Sequence, residues 1–365
     1  MSSKSATTLS MPPRLPADLV RRVAENLMSH DIGDDYWERQ AAMAPILAFG
    51  EPLWREQVIS WLDRAIATQT TDGRLCSGAT SQLRYGDFPI SRAPLMAGFV
   101  LGPCGAAYFT APLFLAYART GDPKYRRAAL RQIAAFLDGP RTSEGFMLMN
   151  AAASEVWVDT VYPVCGALAV WGTAEGNQAW VDEAYRHLEI AYRRLLDPAT
   201  GLVRHVWREM PNSFPESNFW SRGIGFLACA SAEVLAVAGT HSEAIATRDR
   251  LGNLLEAVSG YQDRSGMLHD VLDDPTSPPE STGTVMFAYA AALAAAHDVV
   301  GDDLVVAASK AIVGVSRCVT ASGTVRRAML PPGGPGVPLG EMVLGQSFFL
   351  AACHHLDAIR ELRGT

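Results

Sequence analysis

One short pattern recurs along the chain and limits what it can fold into: a polar residue, a glycine, then two mostly apolar residues. It occurs as Asp72-Gly73-Arg74-Leu75, Glu144-Gly145-Phe146-Met147, Thr200-Gly201-Leu202-Val203, Ser265-Gly266-Met267-Leu268 and Ser322-Gly323-Thr324-Val325, with the glycines 72, 56, 65 and 57 residues apart. Each follows a stretch of helical periodicity (53–69, 122–138, 178–196, 241–261, 302–319). Each is followed, after a polar or Pro-rich loop, by another such stretch (106–119, 160–172, 219–238, 283–298, 342–362). Helix-start signals at 17–30 and 36–49 open the array. A helical hairpin repeated in this way cannot bury its apolar face alone, so neighbouring units must stack.

Six units fill the chain, and six hairpins can close into a ring: an all-α (α/α)6 barrel with the second helix of each unit lining the inside. The second helices are the more apolar, and residues 283–298 carry no charge until their end. A helix apolar all round is a buried helix. An open α-solenoid would need polar capping helices at both ends, whereas the last helix runs Phe348-Phe349-Leu350-Ala351-Ala352. Closure is therefore expected. Strand signal is confined to short pieces beside the Gly turns. No composition break divides the chain, so the expected organisation is a disordered tail over 1–15 and a single barrel domain over 16–365.

Composition narrows the function. The 365 residues are 48% hydrophobic, enough for a large core. No apolar run reads as long enough to span a bilayer, and no apolar segment follows Lys4, so no membrane partner and a cytoplasmic location are expected. The six cysteines (Cys76, Cys104, Cys165, Cys229, Cys318, Cys353) include no C-x-x-C pair and read as reduced thiols. A net charge of −7, without a basic patch interleaved with aromatics, argues against nucleic acid. Cys353-His354-His355 lacks a spaced partner group, so no metal is expected. Gly223-Ile224-Gly225 lacks a preceding strand and a third glycine, so no dinucleotide or other cofactor is expected. What remains is a small-molecule substrate, with the oligomeric state open.

The chemistry gathers around residues 155–172. Trp157, Val161, Val164, Leu168 and Trp171 fall on one helical face. Pro163 is expected in a first turn, which places the helix start near Asp159 to Tyr162. Asp159 is then either an N-cap or a general acid among aromatic neighbours that raise its pKa. In a ring the mouths of the inner helices converge, bringing together Asp159; Asn218, Trp220 and Arg222; Glu280, Ser281 and Thr282; and Glu341. The Gly-turn loops add His205 and His269. Such a pocket suits a polar ring, with Trp stacking on its face, Arg pairing with an anion and Asp moving protons. Plainer readings stand beside these: Ser281-Thr282-Gly283 as a capping segment, His205 and His269 as loop histidines, Trp220 as partly core. Arg222 opens a strongly apolar helix and needs a carboxylate partner from protein or ligand.

Several segments, in order, resemble the unsaturated glucuronyl and rhamnogalacturonyl hydrolases, glycoside hydrolase families 88 and 105. They are Leu-Ala-Tyr-Ala-Arg-Thr-Gly-Asp-Pro-Lys-Tyr (115–125), Trp-Val-Asp-Thr-Val-Tyr (157–162), Gly-Leu-Val-Arg-His (201–205), Trp-Ser-Arg-Gly-Ile-Gly-Phe (220–226), Gly-Met-Leu-His-Asp-Val-Leu-Asp (266–273) and Glu-Ser-Thr-Gly-Thr-Val-Met-Phe-Ala-Tyr (280–289). The resemblance implies an (α/α)6 barrel and a hydrolase in which Asp159 protonates C4 of a 4,5-unsaturated uronyl sugar and then deprotonates the water that adds at C5. It also implies sugar contacts from His205, Trp220 and Arg222, and a uronate held near Ser281 and Thr282; Trp157 and His269 stand beside these as substrate-binding candidates by their place in the pocket. The chain departs from the family pattern in two places. A second family Asp has no counterpart in Gly102-Pro103-Cys104-Gly105-Ala106-Ala107, and the usual Asn-Gly-Trp after the motif Arg is Ile224-Gly225-Phe226. These changes leave an alternative: a barrel that performs acid–base isomerisation or cyclisation of a less polar compound in small-molecule biosynthesis.

Overall fold

Two concentric rings of helices organise the chain. The structure, a computed structural model, describes residues 11–30, 37–75, 105–149, 153–330 and 337–363. The inner ring comprises α2 (Trp37–Phe49), α4 (Thr110–Thr120), α6 (Val158–Glu175), α8 (Ser221–Ala238), α10 (Ser281–Ala296) and α12 (Val343–Arg363). The outer helices are α1 (Ala17–Ser29), α3 (Pro52–Ala67), α5 (Pro123–Leu137), α7 (Gln178–Leu195), α9 (Ala244–Ser259) and α11 (Asp302–Ser316). Each inner helix packs against the next, and α12 returns to α2, so the ring is closed. This is the (α/α)6 barrel expected from the repeat; the open solenoid is ruled out.

The recurrent glycines explain how the outer ring is tied together. All five have positive φ, a backbone region that costs an L side chain about 1–2 kcal/mol. Three of them also approach a backbone carbonyl oxygen closely, and a Cβ on Gly73 would collide with that of Arg131 in α5. A Cβ on Gly266 would collide with the Lys310 carbonyl oxygen of α11, and one on Gly323 with the Arg22 carbonyl oxygen of α1. Each turn thus lands on the next outer helix, and the fifth lands on the first.

Inner helices are apolar because they are enclosed. In α10 every residue from Ser281 to Ala288 is buried, as are Ala290 to Ala294. Contrary to the sequence expectation, one described helix, α8, is long and apolar enough by length and composition to cross a bilayer; the ring accounts for that apolarity, burying 83% of it. Pro163 also departs from expectation. It lies inside α6, which begins at Val158, rather than in its first turn. Its missing N–H leaves the Asp159 carbonyl without the usual bond, a cost that dense burial of Val161, Val164 and Leu168 offsets. At the N-terminus residues 11–15 belong to the barrel rather than to a tail. Arg14 pairs with Asp357 at 2.8 Å and Arg360 donates to the Pro12 carbonyl at 3.1 Å; residues 1–10 lie outside the described residues.

Three small antiparallel sheets rim one end of the barrel. β1 (Glu155–Trp157), β2 (Val206–Arg208) and β3 (Ser213–Glu216) form one; β4 (Leu268–His269) pairs with β5 (Pro279–Glu280), and β6 (Ala328–Met329) with β7 (Leu339–Gly340). β1 runs straight into α6, and β5 into α10, so the rim strands aim the first residues of the inner helices. Cys165, Cys229, Cys318 and Cys353 are thiols outside any disulfide; Cys76 and Cys104 lie outside the described residues.

Candidate active site

The first turn of α6 presents Asp159, which is only 7% exposed. It is not a cap: Trp157 occupies the N-cap position, and the Asp159 side chain turns instead to His205. The sheet makes this meeting possible. β1 and β2 pair Trp157 with Val206, which sets His205 beside the start of α6, and the Val158 amide donates to the His205 carbonyl at 3.2 Å.

His205 is held at both ring nitrogens. Nε2 lies 2.9 Å from Asp159 Oδ2 and Nδ1 lies 2.9 Å from Glu216 Oε2. Burial alone would push its pKa down, but the Asp159 and Glu216 carboxylates outweigh burial and carry it up to about 9. The imidazolium therefore donates to both carboxylates at neutral pH. Two indoles enclose it. Trp157 meets the ring edge-on with centroids 5.4 Å apart, and Trp220 lies tilted against it at 4.7 Å. Trp157 is half-buried, and its N–H donates to Glu155 Oε2 at 2.7 Å, while Arg208 Nε holds the other Glu155 oxygen at 2.7 Å.

Arg222 lies over the Trp220 ring. The guanidinium sits 4.5 Å from the ring centroid, is fully buried, and donates from Nη1 to the Met329 carbonyl. Stacking of this kind supports the indole and lends the site positive charge. Sequence reasoning missed the carboxyl that accompanies this pair. Asp270 is buried, its Oδ1 has no hydrogen-bond partner among the described residues, and its backbone carbonyl receives the Ser221 amide at 2.9 Å. Burial and the Glu280 charge push Asp270 up to about 7, against the opposing pull of Arg222 and the Trp220 N–H. His269 goes elsewhere. His269, the last residue of β4, approaches Asp263 at 3.9 Å, while Asp270 just past the strand interacts with Trp220.

The mouth of α10 is capped by a residue the capping reading did not name. Glu280 accepts from the amides of Thr282 (2.7 Å), Gly283 (2.6 Å) and Met329 (2.8 Å). Ser281 and Thr282 are fully buried, and their hydroxyls have no partner among the described residues. A Cβ on Gly345 would come within 3.3 Å of Thr282 Oγ1, which places these hydroxyls in the seam between α10 and α12. Glu341 is exposed and reaches Arg326 at 3.5 Å. Asn218 is half-buried beside Phe219 and Trp220, with no partner for Oδ1 among the described residues. The structure thus brings Asp159, His205, Trp157, Trp220 and Arg222 together and leaves His269, Ser281 and Thr282 outside that cluster. The stretch through Cys104 where a second Asp is missing lies outside the described residues; from Gly105 the chain forms a 3-10 turn that buries Tyr108 and Phe109. One buried imidazolium bonded to a carboxylate between two indoles can move a proton to or from a ring stacked on them. Among the described residues no group of three or more His, Cys, Asp or Glu side chains is arranged to hold a metal ion.

Comparison with known proteins agrees with this layout. Residues 105–331 match the model of Glycosyl Hydrolase Family 88. The unsaturated rhamnogalacturonyl hydrolase YesR of Bacillus subtilis (strain 168) is 27% identical over 179 residues, 47% of this chain and 52% of that protein. The chain thus spans about half the length of the curated relatives it matches. Among solved structures, a possible member of family GH105 from Salmonella enterica superposes with a TM-score of 0.78 at 20% identity, covering 98% of this chain and 99% of that one. The unsaturated glucuronyl hydrolase of Bacillus sp. GL1 superposes with a TM-score of 0.63 at 14% identity, covering 95% and 96%. At these identities the superpositions speak for the fold.

Proposed function

The chain belongs to Glycosyl Hydrolase Family 88, and on that premise we propose that it hydrates the C4–C5 double bond of a 4,5-unsaturated uronyl sugar, releasing the group linked to it. The observation that carries this reading is the Asp159–His205 pair, buried at the mouth of an inner helix between Trp157 and Trp220. His205 holds Asp159 Oδ2, which leaves Oδ1 for the reaction in this reading. The proton shared between His205 and Asp159 passes through the Asp159 carboxyl to C4, and the π electrons of the double bond form the new C–H bond. The positive charge left at C5 is shared with the ring oxygen. Water adds at C5 and returns its proton to Asp159, restoring the acid. The resulting hemiketal opens, and the linked group leaves as an alcohol. One carboxyl serves as acid and then base, unlike the two-carboxylate plan of ordinary glycosidases. His205, positively charged below about pH 9, supplies a counter-charge for a uronate. Trp157 offers its half-exposed face for stacking, and Arg222 acts through Trp220.

An ultraviolet assay with a 4,5-unsaturated glucuronyl disaccharide tests this, because the conjugated enol ether absorbs and its hydrate does not. Loss of absorbance is expected with the wild type and is expected to slow by about 10²–10⁴-fold in Asp159→Asn, the range that general acid–base catalysis contributes. A second reading, acid–base chemistry on a less polar compound, is favoured by the aromatic layer of Tyr162, Phe226 and Phe348 one turn deeper in the barrel. No absorbance change with a folded wild type would sink the first reading and leave the second.

A further inference from the structure

Below the Asp159 layer, four consecutive inner helices each send one side chain to a single spot. Glu233 of α8 accepts at Oε1 from Tyr289 of α10 (2.9 Å) and from Tyr162 of α6 (3.2 Å). Phe348 of α12 closes the circuit, with its ring centroid 5.7 Å from that of Tyr162 and 5.3 Å from that of Tyr289. Phe226 and Tyr108 extend the aromatic wall on the Tyr162 side, at 5.8 and 6.1 Å. Tyr162 is one turn from Asp159 on the same helix, and Phe226 one turn from Arg222, so this bowl lies directly beneath the catalytic layer. Glu233, Tyr162 and Tyr289 are only half-buried although they sit among the inner helices. They therefore line open space within the barrel rather than packed core.

Among the described residues this carboxyl has no cation beside it. The groups that face it are two phenols, the Cys229 thiol on its own helix, Gly166 of α6 and, through the phenols, Tyr108 and the edge of His355. Gly166 gives it room, since a Cβ there would approach Glu233 Oε2 to 3.2 Å. Oε2 has no hydrogen bond among the described residues, while both hydroxyls are committed to Oε1. A structural buried carboxylate is normally paired or replaced by an apolar side chain, because an uncompensated one is costly. Here burial pushes Glu233 up to about 7, against the two phenol hydrogen bonds that favour the ionised form. What the described residues around it lack is a positive charge. Aromatic faces and a carboxylate with one free oxygen together make the complement of an organic ammonium ion.

We propose that Glu233, Tyr162, Tyr289 and Phe348 form a binding site for a positively charged amine, reached through the same pocket as Asp159. The amine is either part of the substrate, as in an amino sugar, or a separate small molecule. The site does not depend on the hydration chemistry proposed above. Binding a cation favours the ionised carboxylate, so affinity rises with pH and proton release accompanies binding below neutrality.

The test is calorimetric titration of the full chain with n-propylammonium chloride at pH 6 and pH 8, with n-propanol as the neutral control. The wild type is expected to bind the ammonium about tenfold more tightly at pH 8, as follows for a carboxyl that must lose a proton near pH 7, and n-propanol with no pH dependence. Glu233→Gln, which keeps the shape, should remove the pH dependence. Phe348→Leu should weaken the ammonium several-fold while leaving the dependence in place. Equal affinity at both pH values, or unchanged binding in Glu233→Gln shown to be folded by circular dichroism, overturns the proposal. Competition separates the sources. If a 4,5-unsaturated disaccharide with a free amino group displaces propylammonium from Asp159→Asn, but its N-acetylated form does not, the amine belongs to the substrate. If neither disaccharide displaces it while propylammonium still binds, the amine is a separate ligand. Disaccharide hydrolysis can fail with the ammonium site intact, and the reverse, so the two proposals are judged apart.

Discussion

His205 is the residue on which the site's charge state turns, and its sign can be worked out. Its pKa is raised from 6.5 to about 9 in the fold. The stabilisation this represents is therefore fully present below pH 6.5 and is lost as pH rises through 9, amounting to up to about 3 kcal/mol. Glu233 and Asp270, each carried up to about 7, act in the same direction over a lower window. Their unfolded forms ionise near 4 while the folded forms hold their protons, so stability falls between about pH 4 and pH 7. His187 and His355, which burial holds down to about 4, act in the opposite direction over that lower window, so the decline in thermal stability expected is the one between about pH 6.5 and 9, from His205. A nuclear magnetic resonance titration should find the His205 ring with a midpoint near 9, and Asp159→Asn should bring that midpoint down. A wild-type midpoint at 6.5 would remove the imidazolium from the mechanism. The sequence named Asp159 and His205 but could not pair them, because their meeting depends on β1 and β2 lying side by side. Glu233 left a trace that was readable: with Arg222 it is one of two charged residues in the otherwise apolar run 221–238.

At the scale of the element, the helices were legible, whereas of the rim only the presence of short strand pieces beside the Gly turns was, not their pairing. The helical stretches read from periodicity lie within a few residues of those observed, because an amphipathic or wholly buried helix writes its burial into 15 or so consecutive positions. Strands of two to four residues leave no such record, and their pairing is set by partners far along the chain. That is why His269 was chosen over Asp270. Asp270 lies just past the end of β4, where no strand alternation tells which of the two turns toward Trp220. Pro163 escaped for a related reason, since tertiary burial overrode a local rule. The Gly turns support a prediction at this scale. Gly266→Ala meets both a positive φ and the Lys310 carbonyl oxygen, whereas Gly121→Ala meets a positive φ and open space. The first should cost about 2–4 kcal/mol and the second about 1 kcal/mol, measured by urea unfolding. Equal costs would mean that the turn does not need to touch the next helix.

For the whole molecule, the consequence of closure is that no repeat is terminal. In an open solenoid each unit contacts only its neighbours, so removing the last one leaves the rest standing with slightly less stability. Here α12 is the seam: it packs between α10 and α2, its Asp357 and Arg360 hold residues 12–14, and Gly323 just before it presses on α1. Deleting residues 341–365 would expose the apolar flanks of two inner helices at once and open the space that Tyr162, Glu233 and Tyr289 line. Burial at about 25 cal/mol per Å² means that losing two such flanks exceeds the whole net stability of an ordinary domain, about 5–15 kcal/mol. The truncated chain is therefore expected to lose its cooperative thermal transition and to bind a hydrophobic dye, while the full chain melts in a single step with equal calorimetric and van't Hoff enthalpies. A truncated protein that still melts cooperatively within a few degrees of the full chain would show that the barrel behaves energetically as a row of repeats. The convergence of inner-helix mouths on Asp159 would then rest on local packing alone. A two-step melt of the full chain would divide the barrel into separately folding parts, and the pair of layers around Asp159 and Glu233 would have to be assigned to whichever part keeps α6, α8 and α10 together.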